Sequence, residues 1–274
     1  MTQLYAERHD MEGTSMRTRR TIVAIVLAAA AAAVGTIARP VLMLGWPGLT
    51  IGTLGATTVF LVYRVLVQPW QHRWGATDED VCRAMPGDDL VPDAASTTRA
   101  ITIAAAPEQV WPWLVQLGYG RAGWYSYDWI DNDSRPSADR ILPELQTLNV
   151  GDQILMLPGM GPRVQAIQPN RYLVAGDQQA GSWCLALYPT ASGSRLVSRW
   201  RVNWPLRPAT AFWILVSDPG AFIMERKMLK GIRTRVERPA RSADSGLDLD
   251  QHQVDVVAAA ARLRRPRPHA LGIG

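Results

Sequence analysis

Two apolar stretches near the N-terminus dominate the pattern of hydrophobic and polar positions in this chain. Residues 21–38 are almost wholly apolar, and residues 48–67 are apolar with Arg64 as their only charge. Each comes close to the roughly 20 residues that a helix needs to cross the hydrocarbon core of a bilayer. The pattern therefore predicts a hairpin of two transmembrane helices, at about 21–38 and 48–67, after a basic leader at 1–20.

Arginines and tryptophans around these stretches predict the orientation of the hairpin. The leader carries four arginines, whereas the loop between the two spans carries only Arg39. By the positive-inside bias, both termini and the domain that follows are expected in the cytoplasm, which predicts a multi-pass protein of the cell (inner) membrane. Trp46 and Trp70 lie where aromatic residues are expected at the two interfaces. A cleaved signal peptide is the alternative for the first stretch, because small residues follow its basic leader.

Beyond the second stretch the pattern changes to a linker and then to a domain with strands. Residues 68–96 contain three prolines, Gly87 and several acids without an apolar period, which predicts a linker. Past Pro239, residues 241–251 are polar and unpatterned, so residues 240–274 are predicted to be a disordered basic tail, in which residues 254–263 could form one short helix. Between them, short runs bounded by turn residues predict strands. These runs cover residues 99–104, 152–156, 163–167, 172–175, 182–188 and 194–202.

Two helices are predicted to accompany these strands. Pro107 suits the first turn of a helix that extends to Leu117 and that Gly118 ends. A second helix is predicted over residues 219–237, with Asp218 as its N-cap. One apolar face of each helix is expected to be buried. These faces carry Trp111, Leu114 and Val115 on the first helix and Phe222, Leu229, Ile232 and Val236 on the second.

Four segments of this domain resemble a known superfamily. They are a strand that feeds APEQVWPWLVQLG, the segment GRAGWYSYDWIDN, the strand VGDQIL and the closing DPGAFIMERKMLKGI. They are similar to the SRPBCC (START/polyketide cyclase-like) superfamily, in particular to its actinobacterial membrane-associated members of unknown function. The resemblance covers residues 97–239. It implies an α+β helix-grip (START-like) domain, in which a curved antiparallel sheet wraps a long C-terminal helix around an apolar ligand pocket.

The domain is unusually rich in tryptophan. Eight of the chain's 11 tryptophans fall in it. Indoles suit an apolar pocket, because each offers a large rigid face and one N–H donor. Core packing is the alternative for each ring. The residues predicted to bind the ligand are Trp111, Trp113, Trp124, Tyr125, Tyr127, Trp129, Trp183, Arg199, Phe222 and Leu229.

Histidine is absent from residues 97–239. The four histidines of the chain are His9, His72, His252 and His269. Their positions remove the usual general base and the usual metal ligand from the predicted pocket. Neither a metal nor another cofactor is expected.

Carboxylates remain for acid–base chemistry, and Asp128 and Glu225 are the catalytic candidates. Partial burial between Tyr127 and Trp129 would raise the pKa of Asp128. The favoured alternative is that Asp128 caps a turn or pairs with an arginine. Glu225 is either a solvated helix residue or the one polar contact of the cavity. Asp131 is expected to form a turn.

Charge and cysteine content narrow the class of partner. The net charge is +5, but the basic residues form separate clusters without interleaved aromatic residues. We therefore expect an anionic membrane surface and no nucleic acid as a partner. Arg199 and Arg201 share a strand face and are candidates for binding a carboxylate or a lipid headgroup. Cys82 and Cys184 fit no metal or redox spacing, which predicts free thiols.

Three functions agree with these patterns. The first, which we favour, is a membrane-tethered, non-catalytic binding module for a hydrophobic small molecule such as a lipid, an isoprenoid or a polyketide-like compound. The second is a cyclase- or hydratase-like enzyme with carboxylate or tyrosine acid–base chemistry, which the SRPBCC resemblance permits. The third is an interaction or regulatory protein with a filled pocket.

Overall fold

The computed structural model describes residues 42–179, 181–203 and 208–238, together with residues 28, 35, 38 and 39. The chain divides into two compact units, Met1–Glu237 and Arg238–Gly274, and the elements described below belong to the first. The predicted leader and tail lie outside the described residues, as does nearly all of the first predicted span. The two-helix hairpin therefore stays a prediction.

A long helix, α1, spans Trp46–His72. Its 27 residues correspond to about 40 Å at the usual rise of an α-helix. Within the described part of the chain, it is the one helix whose length and composition would allow it to cross a membrane. It contains the second predicted span, whose last residues, Tyr63–Val67, form a π-helical turn. The helix then continues beyond the predicted span through Gln68–His72. The first part of the predicted linker is thus helical.

Five strands form one open, curved antiparallel sheet in the order β1-β5-β4-β3-β2. The strands are β1 (Ala95–Ile103), β2 (Val164–Gln168), β3 (Tyr172–Asp177), β4 (Gly181–Thr190) and β5 (Gly193–Val202). Five predicted strands are confirmed, although β1 begins before residue 99.

The strand predicted at residues 152–156 is wrong. Only an isolated bridge joins Gln153 to Arg163, because the chain reverses at once through a second bridge between Leu157 and Met160.

One face of the sheet carries two helices, α3 (Pro107–Val115) and α5 (Pro208–Glu237). The main core lies between them and the sheet, where Ile103, Leu114 and Leu229 are fully buried. Both predicted apolar helix faces are confirmed here, and α3 ends two residues before the predicted Leu117.

The predicted start of the second helix is wrong. Helix α5 begins at Pro208, so Asp218 lies inside the helix and is not its N-cap. An Asp–Pro pair is typical of a helix start, but Pro219 is accommodated here within α5. The carboxylate of Asp218 bonds instead to side chains of α1.

The opposite face of the sheet is covered by residues 76–91, which we call the covering arm. The arm contains a short helix, α2 (Asp78–Cys82), and a 3-10 turn at Asp88–Leu90. A capping box between Thr77 and Asp80 starts α2. Met85 packs on a second apolar cluster of the sheet, formed by Ala100, Val174, Cys184, Ala186 and Val197. The predicted linker is therefore corrected, because most of it is a folded part of the domain.

Both cysteines are free thiols, as predicted. Cys82 is exposed on the covering arm, whereas Cys184 is buried in β4. Burial raises the pKa of Cys184 to about 12, which keeps it protonated and unreactive as a nucleophile. Helix α4 (Asp128–Asp131) completes the elements that position the site described next.

Candidate ligand-binding cavity

A cavity of about 470 Å³ lies between the sheet, α5 and the C-terminal turns of α1. This volume is within the range of about 300–1,000 Å³ that small-molecule sites occupy. Aromatic and thioether side chains supply most of its apolar surface. They are Trp124, Met156, Trp183, Trp200, Met224 and Met228.

Three tryptophans build one wall of this cavity. Trp183 on β4 and Trp200 on β5 are directly opposite each other in the sheet register, and their rings stack with centroids 5.0 Å apart and planes at 11°. Trp124 adds a tilted ring 5.8 Å from that of Trp183. The indole nitrogen of Trp183 donates to Ser198 Oγ at 2.9 Å. The wall is therefore a preformed aromatic surface whose orientation is fixed by the sheet.

Asp131, at the end of α4, is a buried carboxylate of the cavity lining without a well-aligned hydrogen bond. Its residue is 3 % exposed, and neither carboxylate oxygen makes a hydrogen bond of good geometry with any described residue. Burial, and then the nearby charge of Asp128, raise the pKa of Asp131 to about 7, against a smaller opposing effect from the Ser126 hydroxyl and the Tyr127 amide. Asp131 can therefore gain or lose a proton near neutral pH inside an apolar site.

Asp128, the predicted catalytic carboxylate, lies outside this cavity. Its carboxylate accepts a hydrogen bond from the backbone N–H of Ser137 at 3.0 Å and another from the Ser137 hydroxyl. This is the turn-capping role named above as the favoured alternative. The expectation that Asp131 only forms a turn is corrected, since α4 directs the two carboxylates to different surroundings.

Asp218 on α5 joins the domain to α1. Its Oδ2 accepts hydrogen bonds from Tyr63 Oη at 2.8 Å, Gln68 Nε2 at 2.7 Å and His72 Nε2 at 2.8 Å. We call these four residues the Asp218 node. Burial opposes ionisation, but the hydrogen bonds from His72 and Gln68 outweigh it and lower the pKa of Asp218 to about 2. Asp218 is therefore ionised at neutral pH.

The π-helical turn explains why three side chains of α1 converge on one carboxylate. In a π-helical turn, residues five positions apart are joined by a hydrogen bond, so Tyr63 and Gln68 lie on one side of α1. His72 follows Gln68 by four positions and shares that side. Gln68, His72 and Asp218 all line the cavity. The inference that the pocket lacks histidine is therefore wrong, because α1 brings His72 into it from outside the predicted domain.

A buried ion pair forms another part of the lining. The guanidinium of Arg99 on β1 donates to Glu225 on α5 and, through Nε, to the Gln71 carbonyl at 2.9 Å. Glu225 also accepts from the Ser198 hydroxyl at 2.5 Å. Glu225 is thus a cavity residue, as one of its two interpretations predicts, but both of its oxygens are already bonded. Among the described residues, no group of three or more His, Cys, Asp or Glu is placed to hold a metal ion.

Of the ten residues predicted to bind the ligand, two line the cavity and eight lie elsewhere. Trp124 and Trp183 line the cavity. Trp111, Trp113 and Leu229 lie in the main core instead, because burial on one helix face does not distinguish a cavity wall from a filled core. The others also lie outside the lining: Tyr125, Tyr127, Trp129, Arg199 and Phe222.

These five residues have other surroundings. Tyr125 is buried, with its hydroxyl 2.8 Å from Gln116 Nε2, and Phe222 contacts the rings of Trp70 and Trp74. Tyr127 lies under the ammonium of Lys227, and Trp129 is 55 % exposed. Arg199 points to the opposite face of the sheet.

Arg199 and Arg201 bind within the chain rather than to a ligand. Arg199 donates to Asp88 Oδ2 at 2.7 Å and to carbonyl oxygens of the covering arm, including that of Asp80 at 2.6 Å. Arg201 approaches Asp88 Oδ1 at 3.6 Å. Arg195, on the same face of β5, pairs with Asp80 at 2.6 Å. These arginines fasten the covering arm to the sheet, which corrects the headgroup prediction.

The mouth of the cavity lies where α1 meets the domain. The exposed lining residues are Arg64 on α1, Ala95 at the start of β1 and Ala221 on α5. The guanidinium of Arg64 donates to Gln68 of the Asp218 node. The opening is thus beside the end of the apolar part of α1.

Taken together, the fold and the cavity define the class: an α+β protein whose curved antiparallel sheet and long C-terminal helix enclose an apolar cavity, which is the helix-grip arrangement. No protein-family model and no curated protein matches the sequence. Among solved structures, a protein from Mesorhizobium loti has 17 % identity and a TM-score of 0.35, covering 53 % of this chain and 98 % of its own.

Two further solved structures are similar to part of this chain. A Polyketide_cyc-like protein from Corynebacterium glutamicum has 16 % identity and a TM-score of 0.29, and it covers 55 % of this chain and 99 % of its own. The Aha1 dimer from Colwellia psychrerythraea has 14 % identity and a TM-score of 0.33, with 53 % and 98 % covered. At such TM-scores the fold assignment rests on the strand order and helix placement given above.

Proposed function

We propose that this protein is a membrane-tethered binding module, which takes up a hydrophobic small molecule such as a lipid, an isoprenoid or a polyketide-like compound and does not convert it. The observation that supports this most directly is the cavity wall of three indoles faced by three methionines. Indoles supply large rigid apolar faces, and flexible thioethers adapt to the shape of a ligand. Burial of apolar surface would drive uptake, at roughly 25 cal/mol per Å².

The exposed part of α1 supports the tether. Its apolar side chains face outward along much of its length, with Ile51 53 %, Leu54 67 % and Leu66 67 % exposed. A soluble helix rarely exposes such a continuous apolar surface. Because the cavity mouth adjoins Arg64, a helix inserted in the bilayer would hold the opening at the level of the headgroups, where an arginine is favoured.

Uptake is tested with the full chain, purified in lipid nanodiscs and analysed by native mass spectrometry for a bound apolar molecule. Ala221→Trp places a bulky ring at the mouth and is expected to abolish uptake. Ala84→Trp makes the same change at an exposed position of the covering arm, away from the cavity, and is expected to leave uptake intact. If neither the parent nor the control binds any apolar molecule, the proposed function is wrong.

The proposed orientation has its own test. With the domain on the cytoplasmic side of the inner membrane, a tag at the C-terminus should resist protease added to intact cells and be lost after lysis. Cleavage of the tag in intact cells would place the domain on the other side.

An enzyme of the cyclase or hydratase class is the second candidate, and one observation favours it. Asp131 and the His72–Asp218 pair lie around the same cavity and supply groups suited to proton transfer. If the protein is a binding module, the bound molecule is recovered with unchanged mass and structure after incubation. Conversion by the parent that Asp131→Asn and His72→Gln both abolish would establish the enzyme instead.

A further inference from the structure

In the described part of the chain, the Ser126 hydroxyl and the Tyr127 amide approach the Asp131 carboxylate, but neither makes a hydrogen bond of good geometry with it. A buried carboxylate is expensive to maintain unless its oxygens are bonded. The other charged groups of the lining are engaged elsewhere, since Arg99 pairs with Glu225 and His72 bonds to Asp218. Arg64 lies at the exposed mouth and bonds to Gln68. A ligand could supply the well-aligned donor that these groups do not.

The charged groups of the lining indicate that the ligand group that binds Asp131 is positively charged. The cavity wall carries three carboxylates against two guanidiniums and one imidazole. The two guanidiniums and the imidazole already bond to the partners named above, so none of them serves as a counter-charge for the Asp131 carboxylate. A positive charge on the ligand would balance it.

The tryptophan wall also favours a positively charged ligand group. The face of an indole attracts cations more strongly than any other aromatic side chain. Trp124, Trp183 and Trp200 line the cavity together with Asp131. A carboxylate and indole faces around one space form a site for a cation, whereas neither recognises an anion.

We propose that the molecule taken up is an amphiphilic amine, whose ammonium group binds Asp131 beside the tryptophan wall while its hydrocarbon part contacts the methionines. This rests on the proposed function and names the head group of its ligand. An ammonium group has up to three donors, enough for both carboxylate oxygens. A ligand carbonyl would accept only one hydrogen bond from a protonated Asp131 and would leave the second oxygen unbonded.

Amine binding predicts a definite pH dependence. A cation stabilises the ionised form of Asp131, so amine binding releases a proton wherever the free carboxyl is protonated. The affinity for an amine should therefore rise with pH up to about 7 and level off above it, because burial holds the free pKa of Asp131 at about 7. The other titratable or charged groups that face Asp131 or share its cavity are Asp128 on α4, Arg64 and His72 on α1, Arg99 on β1, and Asp218 and Glu225 on α5.

The experiment compares three probes with the same eight-carbon chain, which are octylamine, octanol and octanoate. Each is titrated calorimetrically into the full chain in lipid nanodiscs, with empty nanodiscs as the blank. Octylamine should bind roughly tenfold or more tightly than octanol at neutral pH, as expected for a charge-assisted contact worth about 1.4 kcal/mol or more. Asp131→Asn should remove this preference and its pH dependence, so that octylamine and octanol then bind with similar affinities.

A second variant and the relative affinities of the three probes distinguish a failure of the amine inference from a failure of the binding function. Asp131→Glu retains a carboxylate and should retain a preference for the amine. Equal affinities for octylamine and octanol, or tightest binding of octanoate, would overturn the amine inference and leave the binding function standing. Binding of none of the three probes would overturn both.

Discussion

At the residue scale, Asp128 and Asp131 lie three positions apart on one short helix but have different roles. The carboxylate of Asp128 caps the turn at Ser137, whereas that of Asp131 faces an apolar cavity and has no well-aligned hydrogen bond. Both lie in one run of aromatic and acidic residues, so the sequence alone favours neither. What distinguishes them is the direction of α4 relative to the sheet, which depends on contacts distant in sequence.

Burial of the Asp131 carboxylate should lower the free energy of unfolding when the group is ionised. Its pKa is raised in the folded protein, so the unfolded chain releases its proton first and stability falls as pH rises from about 4 to about 7. Asp131→Asn should remove this fall and raise stability above pH 7 by up to roughly 4 kcal/mol, the equivalent of a rise in pKa from 3.8 to about 7. Thermal unfolding of the ligand-free full chain across this pH range tests it.

The control for this prediction is Asp93→Asn, at an exposed position that leaves the cavity unchanged. The control should keep the pH dependence of the parent. Equal melting curves for Asp131→Asn and the parent at pH 8 would show that the folded protein already provides a partner for the carboxylate.

At the scale of elements, one glycine lets α5 approach the segment that carries Trp124 and Ser126. A Cβ at Gly231 would lie 2.2 Å from the Tyr125 carbonyl oxygen and 2.9 Å from Tyr125 Cβ. Tyr125 itself has a positive φ of 55°, so this turn is held in a sparsely populated conformation by its surroundings. The close contact between α5 and the turn is therefore part of how the cavity wall is positioned.

Gly231→Ala should force α5 and the Tyr125 turn apart, with a loss of about 1–3 kcal/mol in the free energy of unfolding. Gly220→Ala is the matched control on the same helix, since nothing lies within 4 Å of its Cβ. Because alanine favours a helix over glycine, the control should gain about 0.5–1 kcal/mol. Thermal melts of both variants measure the difference, and a stabilising Gly231→Ala would refute the close contact.

The covering arm depends on a few buried arginine contacts rather than on a periodic apolar face. Arg199→Leu removes the pair with Asp88 and leaves several arm carbonyls without their donor. Breaking a buried pair costs about 3–5 kcal/mol, so the arm should detach. Limited proteolysis should then cleave within residues 76–91 much faster than in the parent. Arg171→Ala, at an exposed position, should leave the cleavage rate unchanged, and equal rates for Arg199→Leu would refute this role.

The elements that the sequence predicted correctly are those with a repeating buried face. Ile101 and Ile103 on β1, and Phe222 and Leu229 on α5, follow the period of a strand and a helix, and all four are buried. The covering arm has no such period, because apart from apolar contacts such as that of Met85 it is held by arginines that bond to its carbonyls and carboxylates. His72 was missed for a similar reason, because it reaches the cavity through a π-helical turn that the usual helical period does not anticipate.

At the scale of the whole molecule, α1 is both the candidate membrane span and part of the cavity wall. The Asp218 node and the bond from Arg99 to the Gln71 carbonyl hold its last turns against the domain. A displacement of α1 would therefore alter the cavity lining directly. The candidate membrane span and the cavity therefore belong to one structural unit.

This unity predicts how fragments of the chain behave. A fragment that begins at Ser96 lacks α1 and the covering arm, so it exposes the apolar cluster around Val197 and loses Gln68 and His72 from the cavity wall. It should aggregate or bind a hydrophobic dye strongly. A fragment that begins at Tyr63 keeps the arm and the Asp218 node and should remain compact with little dye binding. Size-exclusion chromatography and dye fluorescence of the two fragments measure this, and a monomeric, dye-silent Ser96 fragment would show that the sheet and α5 fold without the segments before them.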